Sequence, residues 1–239
     1  MKSNDLATAL PVSVLMKIVF LHLYPGLLIL AFSLLVTPML VSYQMPGMLA
    51  LLAAEVLILL PVGLIHLKGW KTPFNYKPKA LKLAGWIILG FAACLLLYAP
   101  MFPLGLWVRQ NLFSWLPAWF YDPGFSWASR NVLITTFSLG ILIDGVVGPV
   151  MEELYFRGYL LPSMDHLGNL APLLNAMLFT IYHFWQPHNY AGIFAVSLVL
   201  GYAAWWKKSV WLSMGIHCLV NIVGSLTGLL AAIGGVKPY

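Results

Sequence analysis

Apolar residues along this chain come in long unbroken runs, not in the one-sided periodicities of soluble helices or strands. Four stretches hold no acidic or basic side chain other than histidine: 18–54, 83–108, 166–206 and 209–236. A helix that crosses a bilayer needs about 20 apolar residues. The pattern therefore predicts an all-α fold, a polytopic transmembrane helical bundle of about seven spans. Pro46-Gly47 breaks the first run, because Pro suits a helix start and Pro-Gly a turn, giving helices over 14–41 and 46–67. A third is predicted over 81–102. The connection 103–130 carries Trp107, Trp115, Trp119, Phe120, Tyr121 and Trp127. Such rings favour the headgroup level, so an interfacial loop or re-entrant helix is expected there. A fourth helix runs from Asn131 through Glu152 to Leu161, loosened at Gly145, Gly148 and Pro149. After a turn at Asp165–Gly168, helices follow over 170–186, 190–206 and 209–233. With no repeat or low-complexity tract in view, residues 1–239 are expected to form a single transmembrane domain. Residues 1–130 supply N-terminal helices and the interfacial loop, and 131–233 the helices that carry chemistry.

Composition narrows the class. The chain is 61% hydrophobic and 8% charged, against about 25% charged in soluble domains, which excludes a soluble globular domain, a disordered chain and a nucleic-acid binder. The formal net charge of +6 comes largely from clusters. Lys68, Lys71, Lys77, Lys79 and Lys82 share one connection, and Lys207 and Lys208 another. Lys and Arg resist translocation, so both loops, the turn at Asp165–Gly168 and the N-terminus with Lys2 are expected in the cytoplasm. Arg109, Arg130, Lys237 and the C-terminus fall outside. Asp5 beside Lys2, the lack of a small-residue cleavage pattern and the long first apolar stretch indicate a retained anchor in place of a cleaved signal peptide. Cys94 and Cys218 lie in apolar segments and suit neither a disulfide framework nor a cysteine-rich metal site. Cys218 is read as a small core filler, because adjacent helical residues such as His217 and Cys218 do not face one another.

Ionisable groups at bilayer depth are expensive and functional by default. Lys17 and His66 sit near helix ends and can snorkel; His22 and Glu55 are expected to be structurally paired, and Asp144 to make a packing or local hydrogen-bond contact. The C-terminal half holds the denser set: Asp144, Glu152, Glu153, Arg157, His183, His217 and Asn221. Arg157 follows Glu153 at the i+4 ion-pair spacing. Glu152 is 16 residues before Gly168 and His183 15 after it, so in antiparallel helices of equal rise they share a depth. His217 lies nine residues past Lys208, roughly 13 Å into the bilayer by the same rise, with Asn221 on the same helix face. One buried pocket is thus expected to receive a carboxylate, two imidazoles and an amide. On the charge-based topology it is expected to open to the cytoplasm.

Glu-Glu-x-x-x-Arg (Glu152, Glu153, Arg157), Phe-x-x-x-His (Phe179, His183) and His-x-x-x-Asn (His217, Asn221), in this order on successive apolar helices, resemble the CPBP family. These are the CAAX-protease and bacteriocin-processing intramembrane enzymes, also called the Abi family. Phe156-Arg157-Gly158-Tyr159-Leu160 continues the first motif in the family manner, and the resemblance covers about residues 140–225. It implies a glutamic intramembrane endopeptidase acting on a membrane-associated, prenylated or leader peptide, in a bacterial or archaeal cytoplasmic membrane. Glu152 is the implied general base and His183 its partner in activating water. His217 and Asn221 are the implied oxyanion donors, and Glu153 and Arg157 hold the site together. Desolvation strengthens a carboxylate as a base in general, and N–H donors suit developing carbonyl charge. The family's type II prenyl endopeptidases carry a further span after the His-x-x-x-Asn helix, so peptide cleavage is expected more firmly than prenylated-protein processing.

Partners are therefore a peptide or protein substrate and the lipid bilayer, with no nucleic acid; no cofactor is expected. Zinc is the alternative, with Glu152, His183 and His217 as ligands and water as the fourth. A non-proteolytic membrane scaffold or immunity protein would keep the fold without needing the motifs. A transporter would also place acids in the membrane, but no inverted repeat is visible.

Overall fold

The structure, a computed structural model, describes residues 12–69, 71–121 and 124–236, with side chains from Leu23 onward except at 118 and 121. Lys2, Asp5 and Lys237, and the side chains of Lys17 and His22, lie outside the described residues. The described regular structure is helical, with one isolated bridge between Asn75 and Ser209. The helices are α1 (Val12–Ser42), α2 (Met48–His66), α3 (Ala80–Tyr98), α4 (Met101–Asn111), α5 (Arg130–Ser163), α6 (Leu170–Tyr182), α7 (Tyr190–Lys207) and α8 (Val210–Ile233). Five are long and apolar enough to cross a membrane: Leu23–Ser42 of α1, then α2, α3, α5 and α8. Of the about seven spans expected, these five qualify by length and composition. The chain is an integral membrane protein.

The helix α6 ends four residues before the sequence pattern suggests. Pro187 drives Gln186 out of the helical region, to φ −133° and ψ 49°, as proline does to the residue before it. His183 already leaves the helix at ψ 52°. The aromatic connection after α3 forms a helix of its own, α4, followed by a single turn at Ala118–Tyr121.

The bundle has two distinct ends. At one, the lysine-rich connection after α2 meets the α7–α8 turn: the Tyr76 N–H donates to the Lys208 carbonyl (3.0 Å) and the Val210 N–H to that of Phe74 (2.8 Å). Lys208 and Trp205 both donate to Asp165 Oδ1, at 2.7 and 2.6 Å, closing the α5–α6 turn onto the same end. The Lys208 hydrogen bond holds the Asp165 carboxyl below the usual carboxylate range. Gly168 makes that turn at φ 57°, a left-handed conformation that favours glycine. At the opposite end lie the Tyr43–Gly47 turn, residues 112–121 and 124–129 of the aromatic connection, and the break between α6 and α7.

Between the ends, α8 packs against α5, α3 and α7, α6 packs on α7, and α1 lies across α2 and α6. Gly26 of α1 sits so close to the Tyr182 backbone that a Cβ would collide with its carbonyl oxygen. Such close backbone approach is how membrane helices gain dispersion contacts. Leu35, Ile65, Leu81, Leu89 and Leu96 point outward and are largely exposed, as lipid-facing positions require.

Because Tyr43 and Lys79 are exposed at opposite ends of α2 and its following loop, Tyr43→Cys and Lys79→Cys should react with an impermeant maleimide from opposite faces of intact vesicles. Labelling of both from one face would contradict the two-ended bundle.

Candidate active site

The site is built on α5. Two π-helical segments, Ile143–Val147 and Leu154–Leu160, flank Gly148–Glu153, and such segments are frequent at functional positions. Glu152 and Glu153 point to different neighbours, although both are buried. Arg157 donates through Nη1 to Glu153 Oε1 at 2.8 Å, and both side chains are 0% exposed. Its Nη2 reaches Ser197 of α7, at 2.6 Å to Oγ and 3.2 Å to the carbonyl. The guanidinium lies 4.3 Å from the Phe179 ring centroid of α6.

Two imidazoles close on Glu152. The helix ends at His183 with its backbone N–H turned to the Thr180 carbonyl (3.1 Å). That leaves the Phe179 carbonyl without its helical donor, and His183 Nδ1 replaces it at 2.7 Å. A carbonyl only accepts, so Nδ1 carries the proton. On α8, His217 Nδ1 meets Glu153 Oε1 at 3.0 Å. Both rings thereby present Nε2 to Glu152: His183 at 3.8 Å from Oε1 and His217 at 3.9 Å from Oε2. The equal depth expected of Glu152 and His183 is observed. These separations exceed hydrogen-bond length and suit a bridging water.

Asn221, expected to bring an amide to the pocket, lines the cavity and is also engaged on α5. The Gly148 N–H bonds the carbonyl five residues back, that of Ile143. The residue five after Asp144 is Pro149, which has no N–H to give. Asn221 Nδ2 supplies the missing donor to the Asp144 carbonyl at 2.9 Å, with Asp144 Oδ1 at 3.5 Å. Asn221 therefore ties α8 to the π segment of α5. Glu55, expected to be structurally paired, has a buried Oε2 with no hydrogen bond inside the protein. It rests where a Cβ on Gly148 would stand and lines the same cavity as Glu152. Its signal was in the sequence, as a lone acid in the middle of an apolar helix. His66 pairs with Tyr24 at 2.5 Å, away from the site. Cys94 and Cys218 are free thiols. Among the described residues, no group of three or more His, Cys, Asp or Glu side chains is disposed to hold a metal ion.

A cavity of about 490 Å³ adjoins Glu55, Asp144, Glu152, His183, His217 and Asn221. A second, of about 320 Å³, lies against Gly47, Trp119, Phe120 and His188 and shares Met48, Leu51, Asp144, Trp185 and Gln186 with the first. The path from Glu152 thus leads toward the Tyr43–Gly47 end. At the lysine-rich end the α7–α8 turn, Phe74 and Asp165 are hydrogen-bonded or packed together, and α6 breaks at the other end.

The fold and site together define an integral membrane protein with a buried carboxylate and two imidazoles facing a cavity. Residues 134–223 match the family model for type II CAAX prenyl endopeptidases, Rce1-like. That family is a protease family, and the match agrees with the CPBP resemblance carried by the three motifs. No curated protein and no solved structure matches the chain.

Truncating Arg157 takes the guanidinium from the buried Glu153 carboxylate and leaves it only the His217 ring. Arg157→Ala should destabilise by roughly 3–5 kcal/mol, read as lost expression and a lower melting temperature in detergent. Arg157→Lys should rescue little, because one ammonium does not reproduce the fork that reaches Glu153 and Ser197. Asn221→Ala uncovers the Asp144 carbonyl and should cost about 1–3 kcal/mol in the same melt; an unchanged melt would rule out the capping role.

Proposed function

We propose that the chain is an intramembrane endopeptidase that hydrolyses a peptide bond of a membrane-associated substrate with a water activated by Glu152. One observation carries this reading: Glu152 stands between two imidazole Nε2 atoms at 3.8 and 3.9 Å, with both Nδ1 atoms engaged elsewhere. A water in that gap has an acceptor carboxylate and an acceptor nitrogen on His183 to orient its protons. Its oxygen attacks the scissile carbonyl carbon as Glu152 takes a proton. The carbon–nitrogen bond then breaks, and the proton passes from Glu152 to the departing amine, leaving new carboxyl and amine ends.

His217 and Asn221 are the proposed oxyanion donors, both on one face of α8. To donate from Nε2, His217 must be the doubly protonated ring, with Glu153 on Nδ1 as its counter-charge. Asn221 has the N–H of its 3.5 Å contact with Asp144 to redirect, while the 2.9 Å bond keeps the side chain in place. Glu153 and Arg157 act as positioning residues. The proposed path has seven spans, adding α6 and α7 to the five qualifying helices, with the N-terminus cytoplasmic.

The test compares peptides, by mass spectrometry, from cells carrying the wild-type chain and Glu152→Gln, which keeps size and hydrogen bonding. A set of cleavage products should vanish while the melting temperature stays put. Identical peptide profiles would remove the endopeptidase reading and favour a scaffold. His217→Ala and Asn221→Ala should each lower turnover by about 10²–10³, the usual loss for one oxyanion donor. Zinc at one atom per active chain, lost in His217→Ala, would replace the glutamic mechanism with a metal-dependent one.

A further inference from the structure

We propose that the surface where α3 meets α7 at the lysine-rich end binds an anionic phospholipid, its phosphate held between the Lys82 and Lys207 ammonium groups at the Trp86 ring. The proposal is independent of the endopeptidase reading. Lys82 Nζ stands 5.0 Å and Lys207 Nζ 4.3 Å from the centroid of that one indole. Lys82 reaches it from one turn earlier on α3, and Lys207 from the last residue of α7. Trp86 is half-buried and packs on the core of Cys94, Leu200, Leu212 and Ile216, so the ring that both lysines share is fixed. Beside it, Lys77 Nζ lies 5.1 Å from the ring of Trp211, on the first turn of α8.

Two ammonium groups on one ring repel each other, and the ring's quadrupole offsets only part of that repulsion. The described part of the protein supplies no carboxylate to do more. Among the described acidic residues, Glu55, Asp144, Glu152 and Glu153 lie at the interior site, and Asp165 is bonded to Lys208 at 2.7 Å. Lys77, Lys82 and Lys207 are exposed, and none of these acids stands at salt-bridge distance from them. An anion between Lys82 and Lys207 replaces the repulsion with two charge-assisted hydrogen bonds. The surface along α3 identifies that anion as a lipid. Residues 82, 86, 89 and 96 share one helix face, and Leu89 and Leu96 are 70% and 75% exposed. Among the described residues no neighbour lies within 4 Å of where a Cβ on Gly85 would stand, which leaves room beside Trp86. Ammonium groups first, then an indole, then leucines deeper in the membrane follow the order of phosphate, glycerol and acyl chain. A soluble phosphate uses only the lysines. A lipid seated here joins α3 to α7.

The experiment counts lipids bound to the full chain in detergent by native mass spectrometry. The probes are palmitoyl-oleoyl phosphatidylglycerol, phosphatidylcholine with the same chains, and glycerol 3-phosphate as a headgroup without chains. Phosphatidylglycerol should bind the wild-type chain more tightly than phosphatidylcholine and raise its melting temperature, and glycerol 3-phosphate should not displace it. Lys82→Ala with Lys207→Ala should lower the phosphatidylglycerol affinity about thirtyfold, the attraction of two lysines near an anionic headgroup, and abolish the rise in melting temperature. Lys82→Arg with Lys207→Arg should keep both, since a guanidinium also holds phosphate. Lys68→Ala with Lys71→Ala removes the same charge from the loop after α2, where both side chains are exposed, and should leave the affinity unchanged. Equal binding of the two lipids, or an equal loss in both alanine pairs, would overturn the site. Displacement of phosphatidylglycerol by an equal concentration of glycerol 3-phosphate would also overturn it, in favour of a soluble phosphate.

Discussion

One carboxylate oxygen holds the C-terminal half of this protein together. Glu153 Oε1 takes Arg157 Nη1 at 2.8 Å along α5 and faces His217 Nδ1 at 3.0 Å across on α8. Arg157 passes the tie on to Ser197 of α7 and to the ring of Phe179 on α6. Four helices thus converge on an ion pair with no exposure at all. In a bundle whose outer faces are as apolar as lipid, helix association gains little from the hydrophobic effect. A buried charge pair is then costly to disrupt and specific in its geometry. Removing either partner would strand the other in the interior.

The same interaction divides labour between two adjacent glutamates. Glu153 is committed to Arg157 and His217, which leaves Glu152 to face the cavity with the two Nε2 atoms. The orientation of each ring follows from a backbone or carboxylate acceptor on the far nitrogen, as in sites where a second shell sets the tautomer. For His183 that acceptor exists because α6 ends there: the broken helix leaves the Phe179 carbonyl for the ring to satisfy. For Asn221 the acceptor exists because Pro149 has no N–H to offer Asp144. Irregularities in the backbone thus place the site's polar groups, and each is compensated by a side chain.

Much of this was legible in the chain. Unbroken apolar runs against so few charges require a membrane bundle, since a soluble fold would expose that surface to water. The ion pair follows from i+4 spacing, and the shared depth of Glu152 and His183 from counting equal rises about Gly168. The ordered motifs carried the family resemblance, which the match over 134–223 bears out. These features depend on local period and on distance along one chain.

What only the tertiary structure decided depends on how helices rotate and break against one another. Glu55 is 97 residues before Glu152, and no spacing rule connects them; α2 brings it against Gly148, where no side chain blocks the approach. No spacing rule ties Asn221 to the Asp144 carbonyl, which lacks a helical donor because Pro149 has no N–H. Lysine placement follows the sidedness of loops, whereas the cavity follows the gap left where α6 stops short. Charge patterning is a property of the ends of helices, and cavities are a property of their packing.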